Sequence, residues 1–73
     1  MKPEKHAIRN LARNLREYRL LRGYSQEELA YQTDTDRTYI SDIERGLRNP
    51  SLKTIAKLAH ALEVPIGALC DPD

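Results

Sequence analysis

The sequence has neither tryptophan nor phenylalanine, so any core it builds is aliphatic with tyrosine as the only aromatic. Its single cysteine, Cys70, excludes an internal disulfide. One thiol and two scattered histidines, His6 and His60, also make a poor set of metal ligands, and no metal is expected. No apolar run approaches the ~20 residues that span a bilayer, and the opening MKPEKH has no apolar stretch behind it. Neither a membrane partner nor a signal peptide is expected. Gly23, Gly46 and Gly67 stand alone as helix punctuation rather than in a phosphate-cradling loop. No nucleophile with a base and an orienting group stands out, nor do paired catalytic carboxylates, so an enzyme is not expected. These absences leave a protein of a reducing compartment, expected in the cytoplasm, with no cofactor and no small-molecule ligand.

What is present fits one small domain. A chain of 73 residues buries only ~60% of its unfolded surface, so its core must be compact. No internal repeat, linker or low-complexity run divides it, and residues 1–73 are expected to form a single domain with its core at about 5–70. The net charge of +1 conceals an uneven distribution. Residues 1–22 carry seven bases against two acids, residues 23–46 two against six, and residues 47–73 three against three. The basic first segment reads either as an electrostatic footprint for nucleic acid or as a solvated helix face.

Apolar residues Ile8, Leu11, Leu15 and Tyr18 recur at helical spacing, predicting a first helix over roughly 5–22 that Gly23 stops. Leu20 projects away from that stripe. Ser25 with Glu28 reads as a capping box opening a second helix, with Leu29, Ala30 and Thr33 inward and Tyr24 placed as a hydrophobic staple. Asp36 caps a third helix over 37–45, closed by Gly46. After the loop LRNP, Ser51 caps a fourth helix whose stripe is Leu52, Ile55, Leu58, Ala59 and Leu62. Pro65 starts a short fifth helix bearing Ile66 and Leu69, and the final DPD is expected to fray. The fold class is all-α, a compact five-helix domain.

Only Asp34, Thr35 and Asp36 separate the second and third helices, and a connection that short forces a helix-turn-helix. Its turn needs one residue at positive φ, expected at Asp34. In the third helix Ile40 and Ile43 mark the buried side, which turns Thr38, Ser41, Asp42 and Arg45 outward and leaves Arg37 exposed in the first turn. Such short polar groups with guanidiniums suit major-groove reading: Arg forks onto guanine, Ser and Thr adapt to either partner, and Asp accepts only from cytosine N4.

The stretch SQEELAYQTDTDRTYISDIERGLRNPSLKTIAKLAHALEVPIGAL resembles the lambda-repressor-like (Cro/cI, Xre-type) helix-turn-helix regulators, over about Leu15 to Cys70. Its markers are Arg19 before Gly23, SQEELA, the I-S-x-I-E-R-G block at 40–46, and NPSL at 49–52. DRTYISDIERGLRNPSL is especially similar to restriction–modification controller proteins. The resemblance implies that Arg37, Thr38, Ser41 and Asp42 read bases. It implies that Gln26, Tyr39, Arg48 and Asn49 meet the DNA backbone, Gln26 with the free N–H groups of its helix and Tyr39 at phosphate or a base edge. It implies that Arg19 and Glu44 form an ion pair joining the first and third helices, and that Ile66, Leu69 and Cys70 form the dimer surface, to which Leu20 or Leu47 could add. The chain departs from the family's usual glycine at Asp34 and from the aliphatic residues often found at Thr33 and Thr35.

The expected function is therefore a sequence-specific double-stranded DNA-binding transcriptional regulator, a homodimer on a palindromic operator with helix 37–45 in the major groove. An antitoxin-like or phage-like repressor is an alternative within DNA binding. A protein–protein bridging module that reads no bases is an alternative of another class. Single residues stay open as well: Arg37 between a base, a phosphate and Asp34; Tyr39 between DNA and the core flank; Asp42 between cytosine and Arg45.

Overall fold

The apolar spacing of residues 8–18 does produce a helix. In the computed structural model, which describes residues 3–72, α1 spans Pro3–Leu21, α2 Gln26–Gln32, α3 Arg37–Glu44, α4 Leu52–Leu62 and α5 Ile66–Cys70. Each start after α1 lies within a residue of its expected signal. Ser25 Oγ accepts the Glu28 N–H at 3.0 Å, Asp36 Oδ1 the Thr38 N–H at 3.0 Å, and Ser51 Oγ the Thr54 N–H at 3.2 Å, each bond satisfying a donor that has no partner within its own helix. The capping box at α2 is only half formed. The Glu28 carboxylate accepts instead from Gln32 Nε2 one turn on, at 3.2 Å. Pro65 takes the N-cap position of α5 with extended backbone and no side-chain cap.

Four helices end in the same way. Among the described residues, those at positive φ are Gly23 (72°), Asp34 (53°), Gly46 (74°) and Glu63 (60°). The N–H one residue beyond each bonds back to the fifth carbonyl before it: Tyr24 to Arg19, Thr35 to Ala30, Leu47 to Asp42 and Val64 to Ala59, at 2.9–3.1 Å. This is the Schellman closure, which satisfies terminal carbonyls and turns the chain sharply. Glycine adopts the conformation without steric strain, aspartate at Asp34 comes next best, and Glu63 holds it against a steric cost.

Leu11, Leu15, Leu29, Ala30, Ile40, Ile43, Leu58, Ala59, Leu62 and Leu69 form one buried core, with Tyr18, Tyr24, Tyr39, Ile55 and Val64 packed against its margin. α1 packs on both α3 and α5, and α2 packs on α3. The expected α4 stripe needs one correction, because Leu52 is 68% exposed. Burial grows along α4 from Leu52 through half-buried Ile55 to fully buried Leu58 and Leu62, so the helix enters the core at a slant and leaves its first residue outside. No helix among the described residues is long and apolar enough to cross a membrane.

The buried polar residue Asn14 is the main feature that periodicity does not signal. Its Nδ2 donates to Leu69 O at 2.9 Å and to Asp71 O at 2.7 Å, closing the end of α5. The expected fraying is corrected for Asp71, whose carbonyl is held by this bond; Asp73 lies outside the described residues, as do Met1 and Lys2. Similarly, Arg22 Nε donates to Leu62 O at 2.7 Å and fastens the end of α4. Asn14→Ala removes the side-chain donor of Leu69 O and leaves Asp71 O only the longer bond from Arg13 Nη2, at 3.3 Å; a loss of about 1–3 kcal/mol in urea-unfolding free energy is expected, and a change near zero would show that water replaces the amide fully.

Candidate nucleic-acid interface

α3 has only eight residues and needs an external anchor. Glu44, in its last turn, supplies one. Arg19 Nε donates to Glu44 Oε2 at 2.7 Å and Arg19 Nη2 to Oε1 at 3.0 Å, a two-pronged pair whose side chains are 10% and 4% exposed. Arg19 Nη1 donates to Tyr24 O at 2.8 Å, and Gln26 Nε2 donates to Glu44 Oε1 at 3.1 Å. One cluster thus ties the end of α1, the loop at Tyr24, the start of α2 and the end of α3. The expected Arg19–Glu44 pair is in place. Gln26 is tied to the same carboxylate through one of its two amide N–H groups, which aims the side chain from the start of α2.

The turn before α3 forms as its spacing requires, with Asp34 at φ 53°. Thr33 and Thr35 replace an aliphatic pair by satisfying one another. Thr33 is buried, its Oγ1 bonds Leu29 O at 2.8 Å, and it lies 2.8 Å from Thr35 Oγ1. A buried hydroxyl with two partners costs little, so the polar turn packs like an apolar one.

Beyond the turn, Ile40 and Ile43 are completely buried while Arg37 and Thr38 are exposed and Ser41 and Asp42 half-exposed. Among the described residues Arg37 makes no ion pair, with Asp34 or any other acid, so its guanidinium is available to a ligand. Asp42 Oδ1 lies 3.9 Å from Arg45 Nη1, and its Oδ2 lies 3.8 Å from Arg48 Nε. The Arg48 guanidinium also sits over the Tyr39 ring, 5.1 Å from its centroid. Tyr39 is half-buried against the core margin, which bears out its packing on the core flank, and its ring face also carries Arg48. Asn49 is exposed beside Arg48, followed by buried Pro50. The stacking of Arg48 on Tyr39 had no signal in the sequence, because it joins a helix to a loop across nine positions.

These features meet in one known arrangement. The helix-turn-helix family model HTH_3 matches residues 15–69. The chain belongs to the Xre/Cro-type helix-turn-helix family. Within that family it is similar to the control protein C.BamHI of Bacillus amyloliquefaciens, 57% identical over 47 residues, which cover 64% of this chain and 58% of that protein. It is also similar to a hypothetical transcription factor of Neisseria meningitidis serogroup B, 48% identical over 62 residues, covering 85% of this chain and 58% of that protein. The chain therefore spans just under three fifths of the length of these two curated relatives. The crystal structure of the Neisseria factor NHTF superposes with a TM-score of 0.88 at 45% identity, covering 90% of this chain and 76% of that one. The restriction–modification controller C.Esp1396I, whose structure is a tetramer in complex with its natural 35 base-pair operator, superposes with a TM-score of 0.79 at 36% identity, covering 86% of this chain and 83% of that one.

The helix-turn-helix frame also corrects one expected dimer residue. Ile66 is 39% exposed and Cys70 is exposed, but Leu69 is completely buried in its own chain's core. A five-residue helix must give one apolar side chain to the core to be held at all, and Leu69 is that side chain.

Removing one partner of a buried ion pair strands the other charge. Glu44→Ala is expected to cost about 3–5 kcal/mol in urea-unfolding free energy, and a cost below ~1 kcal/mol would show that α3 is anchored by apolar packing alone.

Proposed function

We propose that this chain is a sequence-specific double-stranded DNA-binding transcriptional regulator that acts as a homodimer on a palindromic operator. The observation that carries it is the exposed, ion-pair-free Arg37 beside Thr38 in the first turn of a helix whose opposite face is sealed into the core and whose end is fastened by Glu44. Arg37, Thr38 and Ser41 present donor and acceptor groups to base edges. Gln26, Arg48, Asn49 and the edge of Tyr39 flank them and meet phosphate, so that positioning and reading fall to different residues. The likeness to the C.Esp1396I controller, a tetramer on its operator, and to C.BamHI supports a restriction–modification controller among the regulators of this family. A regulator of this kind is a binding protein rather than an enzyme and works in the cytoplasm.

A domain this small reads few base pairs. Two copies on half-sites one helical turn, ~34 Å, apart double the reading surface. Ile66 and Cys70 on the exposed side of α5 form the dimer surface, with Leu47, 61% exposed, as a further contributor.

Selection from random duplex fragments tests the reading helix. Wild type is expected to enrich a palindromic motif. Arg37→Ala and Thr38→Ala are expected to relax it at defined positions, with about 5- to 150-fold less discrimination for the arginine. Gln26→Ala and Arg48→Ala are expected to weaken all sequences alike. A scaffold that bridges proteins without reading bases would enrich no motif, and unchanged motifs in both α3 variants would remove that helix from the reading.

Sedimentation at several concentrations tests the assembly. Ile66→Glu is expected to shift the chain toward monomer and to lower operator affinity; a wild-type chain that remains monomeric on its selected site would exclude the dimer.

A further inference from the structure

Asp42 is the one acid on the outward face of α3, and a carboxylate facing a groove walled by phosphates needs a reason. Asp34 is accounted for by the turn, Asp36 by its cap and Glu44 by the Arg19 cluster. Reading a base would require the Asp42 carboxylate to accept from cytosine N4. Both its oxygens are already directed elsewhere, Oδ1 toward Arg45 and Oδ2 toward Arg48.

The surroundings favour this second use. Leu47 N–H bonds Asp42 O at 2.9 Å, so the loop that bears Arg48 is tied back to Asp42's own carbonyl. Tyr39 lies one turn before Asp42 and supplies the ring under the Arg48 guanidinium. Arg48 is thus held from two sides, by a carboxylate and an aromatic face, although its side chain is 57% exposed. Each restraint is weak alone, since exposed pairs at such distances contribute little to stability. Together they select one direction for a long side chain that otherwise samples many rotamers. The carboxylate also offsets one of the two guanidinium charges, which lowers attraction to phosphate in any sequence.

We propose that Asp42 is a positioning residue for Arg45 and Arg48 and a restraint on sequence-independent binding, not a reader of cytosine. The proposal rests on α3 facing DNA, as set out above.

The test uses the full chain and four proteins: wild type, Asp42→Ala, Arg45→Ala/Arg48→Ala, and the triple variant. Each is measured by motif selection and by titration of a random-sequence duplex over a range of salt. Asp42→Ala is expected to keep the wild-type motif at every base pair. It is expected to bind random duplex about two- to fivefold more tightly at low salt. The dependence of log affinity on log salt should steepen by about one phosphate, a slope change of ~0.9. Adding Asp42→Ala to the double arginine variant should then change both quantities far less, because the part that acts through those two side chains is gone.

Loss of a C·G preference at one position in Asp42→Ala overturns the proposal in favour of base reading. Equal effects of Asp42→Ala with and without the two arginines overturn it as well, as does no effect in either background. A wild type that binds duplex but enriches no motif removes base reading by α3, while the random-duplex arm still decides the role of Asp42. A wild type that binds no duplex overturns both.

Discussion

The Arg19–Glu44 pair is the constraint on which the rest of the structure depends. Two charged side chains, each nine-tenths or more removed from water, persist only where each finds several hydrogen-bond partners as well as its opposite charge. Here the carboxylate accepts two bonds from Arg19 and one from Gln26, and the remaining guanidinium nitrogen reaches Tyr24 O. This set of bonds ties four segments together at once. An eight-residue α3 has little stability of its own, and neither has a seven-residue α2. Held by the cluster at one end and by Ile40 and Ile43 along one side, α3 presents its polar face in one orientation.

For the proposed role on DNA, that anchoring also accounts for an acidic segment set against a polyanion. Residues 33–46 hold four acids and two arginines, yet the four carboxylates have separate employments. Asp34 occupies the left-handed turn position, Asp36 accepts a backbone N–H, Glu44 is buried in its pair, and Asp42 lies between two guanidiniums. Formal charge counted along a sequence treats these as equivalent. Potential at a surface depends on burial and pairing, and by that measure the first turn of α3 is led by Arg37.

Signals carried by neighbours in sequence were legible: the apolar period of α1, the Ser and Asp caps, the glycine stops, and the positive φ at Asp34. The Arg19–Glu44 pair was legible too, because the family markers placed both residues. What stayed hidden depends on tertiary position. Glu63 closes α4 with φ 60° although nothing in its residue type signals a stop, since Arg22 and the core hold the helix end there. Leu52 fits the helical period but meets no neighbour, and Leu69 fits a dimer surface but fills the core. Asn14 sits on the buried side of α1, and only the carbonyls of α5, more than fifty positions away, give it a reason. The candidate site could be named residue by residue from the sequence, whereas the contacts of Gln26 with Glu44 and of Arg48 with Tyr39 and Asp42 depend on tertiary position.

The network gives α1 a role beyond supplying Leu11 and Leu15 to the core. Through Arg19 it holds α3, and through Asn14 it holds the end of α5, which carries Ile66 and Cys70 on its open side. These two anchor points lie five residues apart, about 7.5 Å along a helix axis. Within the proposed dimer, each α1 therefore contributes to the distance between the two proposed reading helices, beside the packing of α3 on α2 and of α5 on α4. Asn14 lies far from the reading face in function but close to it in mechanical terms. Loosening α5 there would leave Arg37, Thr38 and Ser41 intact and still alter the spacing between the two copies of α3 in the proposed dimer.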